Sequence, residues 1–208
     1  MRRNPLLYVL AISLLLVGGC ATMNQSECQT ADWNMIGLKD GSTGQLVSYI
    51  DNHRRACAKF GVTPDLASYS SGHNKGVMQF CTPRNGFARG RSGNRYNGIC
   101  PKDLEETFLD AFSLGQEIYQ SNRKIRSLTA AIVSKNKEIE NIHIAKNEKE
   151  QLLIYGNLTP NERANLLIDI KDLDNATAPV EDEIYDLETQ KKSEENNLAE
   201  LNSLNIYQ

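Results

Sequence analysis

An apolar repeat with a period of seven residues runs through the second half of this 208-residue chain. Its first arm consists of isoleucines at that spacing: Ile118, Ile125, Ile132 and Ile139. Leu128 and Ile142 fill the complementary position of the same heptads. A seven-residue repeat gives a helix a narrow apolar stripe, which can cover only one partner helix. We therefore predict one long helix over residues 103–153.

A short break in the pattern separates this arm from a second one. Residues 155–159 interrupt the repeat, and a helix start follows at once. Thr159 is a suitable N-cap, Pro160 occupies the first helical position and Glu162 completes a capping box. This arrangement predicts a turn over residues 155–159 and a new helix from residue 160.

The second arm repeats the seven-residue spacing. Its apolar positions, with Glu194 as a polar exception, are Leu166, Leu173, Val180, Leu187 and Leu201. Pro179 lies inside this pattern and is expected to kink or interrupt the helix. Two heptad helices joined by a short turn predict a long antiparallel coiled-coil hairpin over residues 103–208. The predicted fold class is accordingly all-α, with a small disulfide-bonded helical head before the hairpin.

Residues 32–102 form this predicted head, and glycine dominates its pattern. Three short helices are predicted here: residues 32–41, 46–60 and 65–80. An aromatic residue stands three positions before a glycine at three places: Tyr69 and Gly72, Phe87 and Gly90, and Phe112 and Gly115. Gly37 and Gly41 are four residues apart, as are Gly72 and Gly76. Positions four apart share one helix face, so these glycines predict flat grooves that another helix can approach closely.

Net charge divides the chain into parts of opposite sign. Residues 103–208 contain 11 Lys and Arg against 21 Asp and Glu, whereas residues 20–102 contain 10 against 5. The basic excess lies in residues 82–102, whose four arginines are candidates for anion binding: Arg84, Arg89, Arg91 and Arg95. This segment could dock on the acidic hairpin, on anionic lipid or lipopolysaccharide phosphates, or on an acidic protein. A net charge of −3 argues against nucleic-acid binding.

The first twenty residues have the composition of an export signal. Arg2 and Arg3 precede an apolar stretch over residues 6–17, which is too short to span a bilayer comfortably. Two glycines then lead to Cys20. This order resembles the lipobox of bacterial lipoproteins. The resemblance implies a signal peptide over residues 1–19 and cleavage before the cysteine.

The same resemblance implies a lipid anchor. In bacterial lipoproteins the thiol at the position of Cys20 receives diacylglycerol, and palmitate is the kind of chain expected here. Ala21 and Thr22 follow instead of aspartate, which implies the outer membrane, with the periplasmic side favoured. Residues 20–31 are small and polar and are expected to form a lipidated tether.

Four cysteines remain beyond the predicted anchor: Cys28, Cys57, Cys81 and Cys100. An even number in an exported chain indicates two disulfides, for which three connectivities exist. If the first two predicted helices form a hairpin, Cys28 lies level with Cys57. If the third helix packs antiparallel to the long helix, Cys81 meets Cys100. These pairings are favoured, and the spacing of cysteines and histidines indicates neither a metal site nor a cofactor.

The head carries a dense series of motifs: Asp32-Trp33-x-x-Ile36-Gly37, Ala56-Cys57, Tyr69-x-x-Gly72-x-x-x-Gly76, Phe80-Cys81-Thr82-Pro83, Asn85-Gly86-Phe87-x-x-Gly90, Cys100-Pro101 and Phe112-x-x-Gly115. This series resembles a family of Gram-negative lipoproteins that is known as a domain of unknown function. The resemblance spans roughly residues 28 to 155. It implies an envelope location and a cysteine-crosslinked helical head, and it implies no activity.

Few residues are candidates for catalysis. Asp32 and Asp40 could act on a glycan as paired carboxylates, although capping of the first helix accounts for Asp32 as well. His53 and His73 are expected on exposed helix faces, and His143 is expected at the surface of the long helix. No hydrolase or zinc-enzyme motif is present. We therefore predict that the protein is not an enzyme.

Together these features predict an outer-membrane lipoprotein that acts as a non-enzymatic adaptor or scaffold of the cell envelope. Its expected partners are the membrane, through the lipid, and an envelope protein; they do not include nucleic acid. Two alternatives remain open. One is a lipid- or lipopolysaccharide-binding module that uses the basic segment 82–102. The other is an envelope glycan hydrolase, which would need a cavity where aspartate and histidine converge.

Overall fold

The computed structural model of the protein describes residues 23–207. The predicted signal peptide over residues 1–19 and the predicted lipid attachment site Cys20 lie outside the described residues. Within residues 23–207 the regular structure consists of α-helices and one short 3₁₀ helix, with no strand. The predicted all-α class is therefore confirmed.

The α-helices, in chain order, are α1 (Gln25–Gln29), α2 (Trp33–Thr43), α3 (Ile50–Ala58), α4 (Leu66–Phe80), α5 (Pro83–Arg91), α6 (Lys102–Tyr155) and α7 (Pro160–Ser203). The 3₁₀ helix Val47–Tyr49 leads into α3. Two of these helices are additions to the predicted pattern, since α1 lies in the expected tether and α5 in the basic segment. Asn24 and Glu27 form a capping box that starts α1.

Side-chain caps explain where the predicted helices begin. Asp32 Oδ1 accepts a hydrogen bond from the Met35 backbone N–H at 3.0 Å and so caps α2. Asp65 caps α4 in the same way. At the start of α7, Thr159 and Glu162 form the predicted capping box, with proline at the first helical position. Each cap satisfies backbone N–H groups that have no partner inside the helix.

The described residues form two compact units. The first comprises residues 23–85 and 96–108, and the second comprises residues 86–95 and 109–207. A helix crossing at glycine residues lies inside each unit.

In the first unit, α2 crosses α4 at two pairs of glycines. A Cβ at Gly41 would overlap the α4 backbone three residues before Gly76 and one residue after it. A Cβ at Gly76 would overlap the α2 backbone three residues before Gly41 and one residue after it. Gly37 and Gly72 form a second pair of this kind. The predicted close approach of glycine faces is therefore confirmed.

The second unit contains one crossing with the same geometry. A Cβ at Gly90 would overlap the α6 backbone at Phe112 and Gln116, which stand three residues before and one residue after Gly115. A Cβ at Gly115 would overlap the α5 backbone at Phe87, three residues before Gly90. The aromatic residues of the repeat thus mark the backbone positions that the facing glycine contacts.

Both crossings also end in the same turn. The N–H of Gly44 donates to the Gly41 carbonyl, and the N–H of Gly93 donates to the Gly90 carbonyl. Both turn glycines have a positive φ, +86° for Gly44 and +70° for Gly93, which an L-residue adopts at a cost. In the first unit, Gly44 faces the ring of Phe80, which stands four residues after Gly76. In the second unit, Gly93 faces the ring of Tyr119, which stands four residues after Gly115. One helix-pair motif therefore occurs twice in the chain.

In the second unit, α6 and α7 form the antiparallel hairpin. Four ion pairs join the helices: Lys124–Glu194, Lys135–Glu183, Lys146–Asp174 and Lys149–Asp169. The partner's number falls as the lysine's number rises, as an antiparallel pair requires. Ile118 and Leu201, both heptad positions of the sequence, pack in one apolar cluster. The α7 helix continues through Pro179, so of the two outcomes expected there, a kink or an interruption, the interruption does not occur.

Two disulfides crosslink the first unit. Cys28 of α1 is bonded to Cys57 of α3, and their Cα atoms are 5.5 Å apart. Cys81, at the end of α4, is bonded to Cys100, which precedes α6. These are the pairings that the sequence favours. The crosslinks stabilise the first unit by restricting its unfolded chain. This matters here because the crosslinked segments have few large aliphatic side chains and therefore form only a small core.

Candidate functional site

A cluster of buried polar side chains lies in the first unit, and two of its members are candidates from the sequence. Asp40 Oδ2 lies 2.7 Å from His53 Nε2, and the Tyr69 hydroxyl donates to the same oxygen at 2.8 Å. Asp40, His53 and Tyr69 are 8%, 6% and 0% exposed. His73 is only 4% exposed. The expectation that His53 and His73 lie on exposed helix faces is therefore wrong.

Three helices bring this cluster together. Asp40 stands in the last turn of α2, His53 in the middle of α3 and Tyr69 in the first turn of α4. The glycines of α2 let the α4 backbone approach at Tyr69, because no Cβ at Gly37 occupies that space. The disulfide of Cys57 ties the end of α3 to α1. Helix faces that look partly polar in the sequence are thereby covered by neighbouring helices.

The hydrogen bonds of the Asp40 cluster show which of its donor and acceptor atoms have partners. A carboxylate only accepts, so His53 donates through Nε2. The Nδ1 atom of the same ring is buried and has no hydrogen-bond partner among residues 23–207. Burial and the bond to Asp40 raise the pKa of the Tyr69 hydroxyl, so it remains a donor.

Aromatic rings enclose the imidazole of His53. The ring of Tyr49 meets it edge-on with centroids 5.3 Å apart, and the ring of Trp33 lies 6.4 Å away. Trp33 is 9% exposed and belongs to the apolar core with the Cys28–Cys57 disulfide. The chain's single tryptophan is thus a core residue.

A cavity of about 610 Å³ opens beside the cluster. Its floor includes the buried residues Met23, Asp40 and His53. The other lining residues come from α1, α2 and the segment before α3: Glu27, Thr30, Ile36, Lys39, Thr43, Gln45 and Tyr49. A cavity of this size with a few convergent polar groups is typical of small-molecule sites.

The other candidates for catalysis lie elsewhere. Asp32 is exposed, caps α2 and is absent from the lining of the cavity, so it does not join Asp40 as a paired carboxylate. His73 Nε2 bonds the Gln45 carbonyl oxygen at 2.8 Å. His143 is exposed on α6. Aspartate and histidine do converge in a cavity, as the hydrolase alternative requires, but through Asp40 and His53 alone.

The basic candidates lie on α5 and after it. Arg84 is exposed in the first unit, and in the second unit Arg91 and Arg95 are exposed while Arg89 is half-buried. Within residues 86–95 and 109–207, no acidic side chain lies within ion-pair distance of Arg91 or Arg95. Docking of these two side chains on the acidic hairpin is therefore not observed.

A second candidate surface, which the sequence analysis missed, is the end of the hairpin at its turn. We call residues 151–168 the hairpin tip. Its only charged residues are Glu162 and Arg163. Glu162 Oε2 accepts from the Thr159 backbone and hydroxyl, which lowers the Glu162 pKa, and Arg163 Nη1 donates to the Leu153 carbonyl at 2.7 Å. Both charges are therefore engaged inside the tip.

Large apolar side chains cover the outside of the hairpin tip. Five of these residues have about half or more of their surface exposed: Leu152, Ile154, Tyr155, Leu167 and Ile168. Leu166 is only 8% exposed, so the seam between the helices is closed beneath them. The signal in the sequence was the near absence of charge over 18 residues of an otherwise charged hairpin.

The part of the chain that the structure describes contains neither a membrane-spanning helix nor a metal cluster. No helix among residues 23–207 has both the length and the apolar character needed to cross a bilayer. The same residues contain no cluster of three or more histidine, cysteine, aspartate or glutamate side chains with the geometry of a metal site.

A model of a known protein family matches part of the chain. No curated protein and no solved structure matches the chain. Residues 32–117, which include both glycine crossings and the Asp40 cluster, match the model of the family described as a protein of unknown function (DUF2799).

Proposed function

We propose that this protein is an outer-membrane lipoprotein that acts as a non-enzymatic adaptor, and that the hairpin tip is its contact surface. The observation that carries the proposal is the exposed apolar cover of residues 151–168. Contiguous exposed apolar surface usually marks an interaction site. Exposed large apolar side chains also occur singly elsewhere on the hairpin, as at Val133, Ile144 and Tyr185, but residues 151–168 combine five of them with only two charged residues.

The charges next to the tip favour a protein partner over a lipid surface. Lys146 and Lys149 are paired with Asp174 and Asp169, so they offer no unpaired positive charge to anionic headgroups. Residues 143–150 and 169–174 together contain three lysines and five acidic residues. Interfacial membrane segments instead carry a basic rim around their apolar face. The partner surface that fits the tip is an apolar groove bordered by basic groups.

Tyr155 supports the same conclusion. Its side chain is 81% exposed at the last residue of α6. Tyrosine is enriched at the centres of protein interfaces because it contributes a large, rigid contact area with a polar end. Ile154, its neighbour in sequence, and Leu167 on α7 are also exposed apolar side chains of the hairpin tip.

Photo-crosslinking in living cells tests the adaptor role. p-Benzoylphenylalanine replaces Tyr155 at the tip or, as a matched control, Tyr185, which is 70% exposed on α7 outside the tip. We expect a discrete protein adduct from position 155 and none from position 185. Equal adducts from both positions, or an adduct from neither, would contradict the tip as the contact surface.

The lipid anchor is tested separately. Cys20→Ser removes the proposed acceptor thiol and should move the protein from the membrane fraction to the soluble fraction. Mass spectrometry of the wild-type protein should show an amino terminus at Cys20 with attached acyl chains. A wild-type protein that retains residues 1–19 would contradict the lipoprotein proposal and leave the crosslinking result unaffected.

Anion binding by the basic segment is the second candidate, because Arg91 and Arg95 are exposed and unpaired with acidic groups of their own unit. Lipopolysaccharide phosphates are the proposed ligand. Binding to lipopolysaccharide micelles should then weaken as salt rises and weaken further in the double variant R91Q/R95Q. Salt-independent binding, or binding that the double variant retains in full, would argue against it.

A further inference from the structure

We propose that the cavity of the first unit is a binding site for a small ligand with a primary ammonium group, which Asp40 Oδ1 accepts. The site is independent of the hairpin tip and of the adaptor role. It lies among α1, α2 and α3. The Asp40 cluster, which joins α2, α3 and α4, would thus also bind a ligand.

The first step of the inference is an unpaired acceptor. Both hydrogen bonds to Asp40, from His53 and Tyr69, end on Oδ2. Oδ1 accepts no hydrogen bond within residues 23–207, although the residue is only 8% exposed and lines the cavity. Oδ1 is not among the buried side-chain atoms of residues 23–207 that lack a partner, so it is open to the cavity. A donor group of a bound ligand can therefore reach this oxygen, which accepts readily because it belongs to a carboxylate.

The second step concerns charge. His53 already donates through Nε2 to Asp40 Oδ2. Besides His53, the ionisable groups that line the cavity are two carboxylates, Asp40 and Glu27, and one ammonium, Lys39. This lining favours a cation over a phosphate or a carboxylate. A charge-assisted hydrogen bond to Asp40 is also about twice as strong as one from a neutral donor.

The third step concerns the rest of the wall. Met23, Ile36 and the ring of Tyr49 provide apolar surface next to the carboxylate. Thr43 and Gln45 line the cavity with polar side chains. The cavity volume of about 610 Å³ suits an aliphatic amine or an ethanolamine headgroup. Both sources share the primary ammonium, which is the group recognised.

Calorimetric titration of the full-length protein in detergent micelles tests the proposal with matched probes. 1,5-Diaminopentane is compared with 1,5-pentanediol, which has the same chain without charge. Glycerophosphoethanolamine is compared with glycerophosphocholine, whose quaternary ammonium has no N–H. We expect saturable binding of at least one primary amine, at least about 10-fold tighter than its matched control. Binding of the diamine alone indicates a free amine, and binding of the ethanolamine compound alone indicates a headgroup.

Variants locate the binding. Asp40→Asn should weaken amine binding at least about 10-fold, because the charged acceptor is lost. Asp32→Asn is the control, since Asp32 caps the same helix outside the cavity and asparagine caps equally well. If Asp40→Asn does not fold, Glu27→Gln on the cavity wall should weaken binding by about 3-fold. Equal binding of amines and their controls, no binding of any probe, or unchanged binding by both Asp40→Asn and Glu27→Gln would overturn the proposal.

Discussion

Gly41 and Gly76 stand opposite each other where α2 crosses α4, and a Cβ on either would overlap the backbone of the other helix. Gly90 and Gly115 stand in the same relation in the second unit. Backbone-to-backbone contact of this kind needs no large side chains, which suits a chain with only 7% aromatic residues. The repeated crossing makes these glycines structural requirements, although glycine is a poor helix former.

Substitution of a crossing glycine tests this directly. Gly76→Ala should lower the free energy of unfolding by about 1–3 kcal/mol, because overpacking outweighs the gain of about 1 kcal/mol in helix propensity. Urea denaturation of the full-length protein measures the change. Gly98→Ala is the control: its φ is +69° but nothing surrounds the new Cβ. It should cost only about 1 kcal/mol from backbone strain. A Gly76→Ala variant as stable as the wild type would contradict the close crossing.

Removal of each disulfide should destabilise the first unit. The bonds join residues separated by 29 and 19 positions, Cys28–Cys57 and Cys81–Cys100. Chain-entropy arguments give about 3 kcal/mol for each bond, with the longer loop contributing about 0.4 kcal/mol more. Thermal denaturation of the two double serine variants measures both losses. Unchanged stability of either variant would show that its crosslink does not restrict the unfolded chain.

Glu194 makes the hairpin sensitive to acid. Hydrogen bonds with Lys124, Ser121 and Asn197 hold its pKa at about 2, below the ordinary value of 4.5. A lowered folded-state pKa adds stability that is fully present above about 4.5 and lost as the pH falls toward 2. The difference in unfolding temperature between the wild type and Glu194→Gln should therefore be constant near neutral pH and shrink across this window. A difference independent of pH would contradict the assignment.

Replacement of Glu194 by leucine should stabilise the hairpin instead. Glu194 is only 9% exposed and occupies an apolar heptad position. Its partner Lys124 is 61% exposed, so the ammonium returns to water when the carboxylate is removed. Leucine at this seam position removes the desolvation cost of a buried carboxylate and adds buried apolar area, and we expect a gain of about 1 kcal/mol in thermal denaturation. Glu195→Leu, outside the seam, is the control and should give no gain; a loss of stability in Glu194→Leu would contradict the prediction.

The sequence predicted those features that depend on neighbours along the chain. The spacing of Ile118 and Leu201 within their heptads was sufficient to predict two long helices, because period alone decides which residues of a helix share a face. Thr159 and Glu162 predicted the start of α7, since a capping box is a local arrangement. The glycine spacing predicted close helix contact for the same reason.

Other features of the structure could not be predicted from the sequence, because contacts between distant segments determine them. His53 and His73 were assigned to exposed faces, yet both are buried, since helix periodicity does not reveal which polar face a neighbouring helix covers. Pro179 was expected to kink or interrupt α7, and the helix is not interrupted there, because contacts with a partner helix can retain a helix that lacks one hydrogen bond. The helix α5 was also not predicted, because glycine and arginine give its sequence little apolar pattern.

The sequence by itself determined the helical class, the antiparallel hairpin and the glycine faces, because each follows from the period or caps of a single segment. Only the tertiary structure decided that Asp40, His53 and Tyr69 share one carboxylate oxygen beside a cavity. These residues come from three helices, and nothing in the spacing of 13 and 29 positions fixes the distance between them. That distance is set where glycines let α2 and α4 approach and where the Cys28–Cys57 disulfide ties α3 to α1.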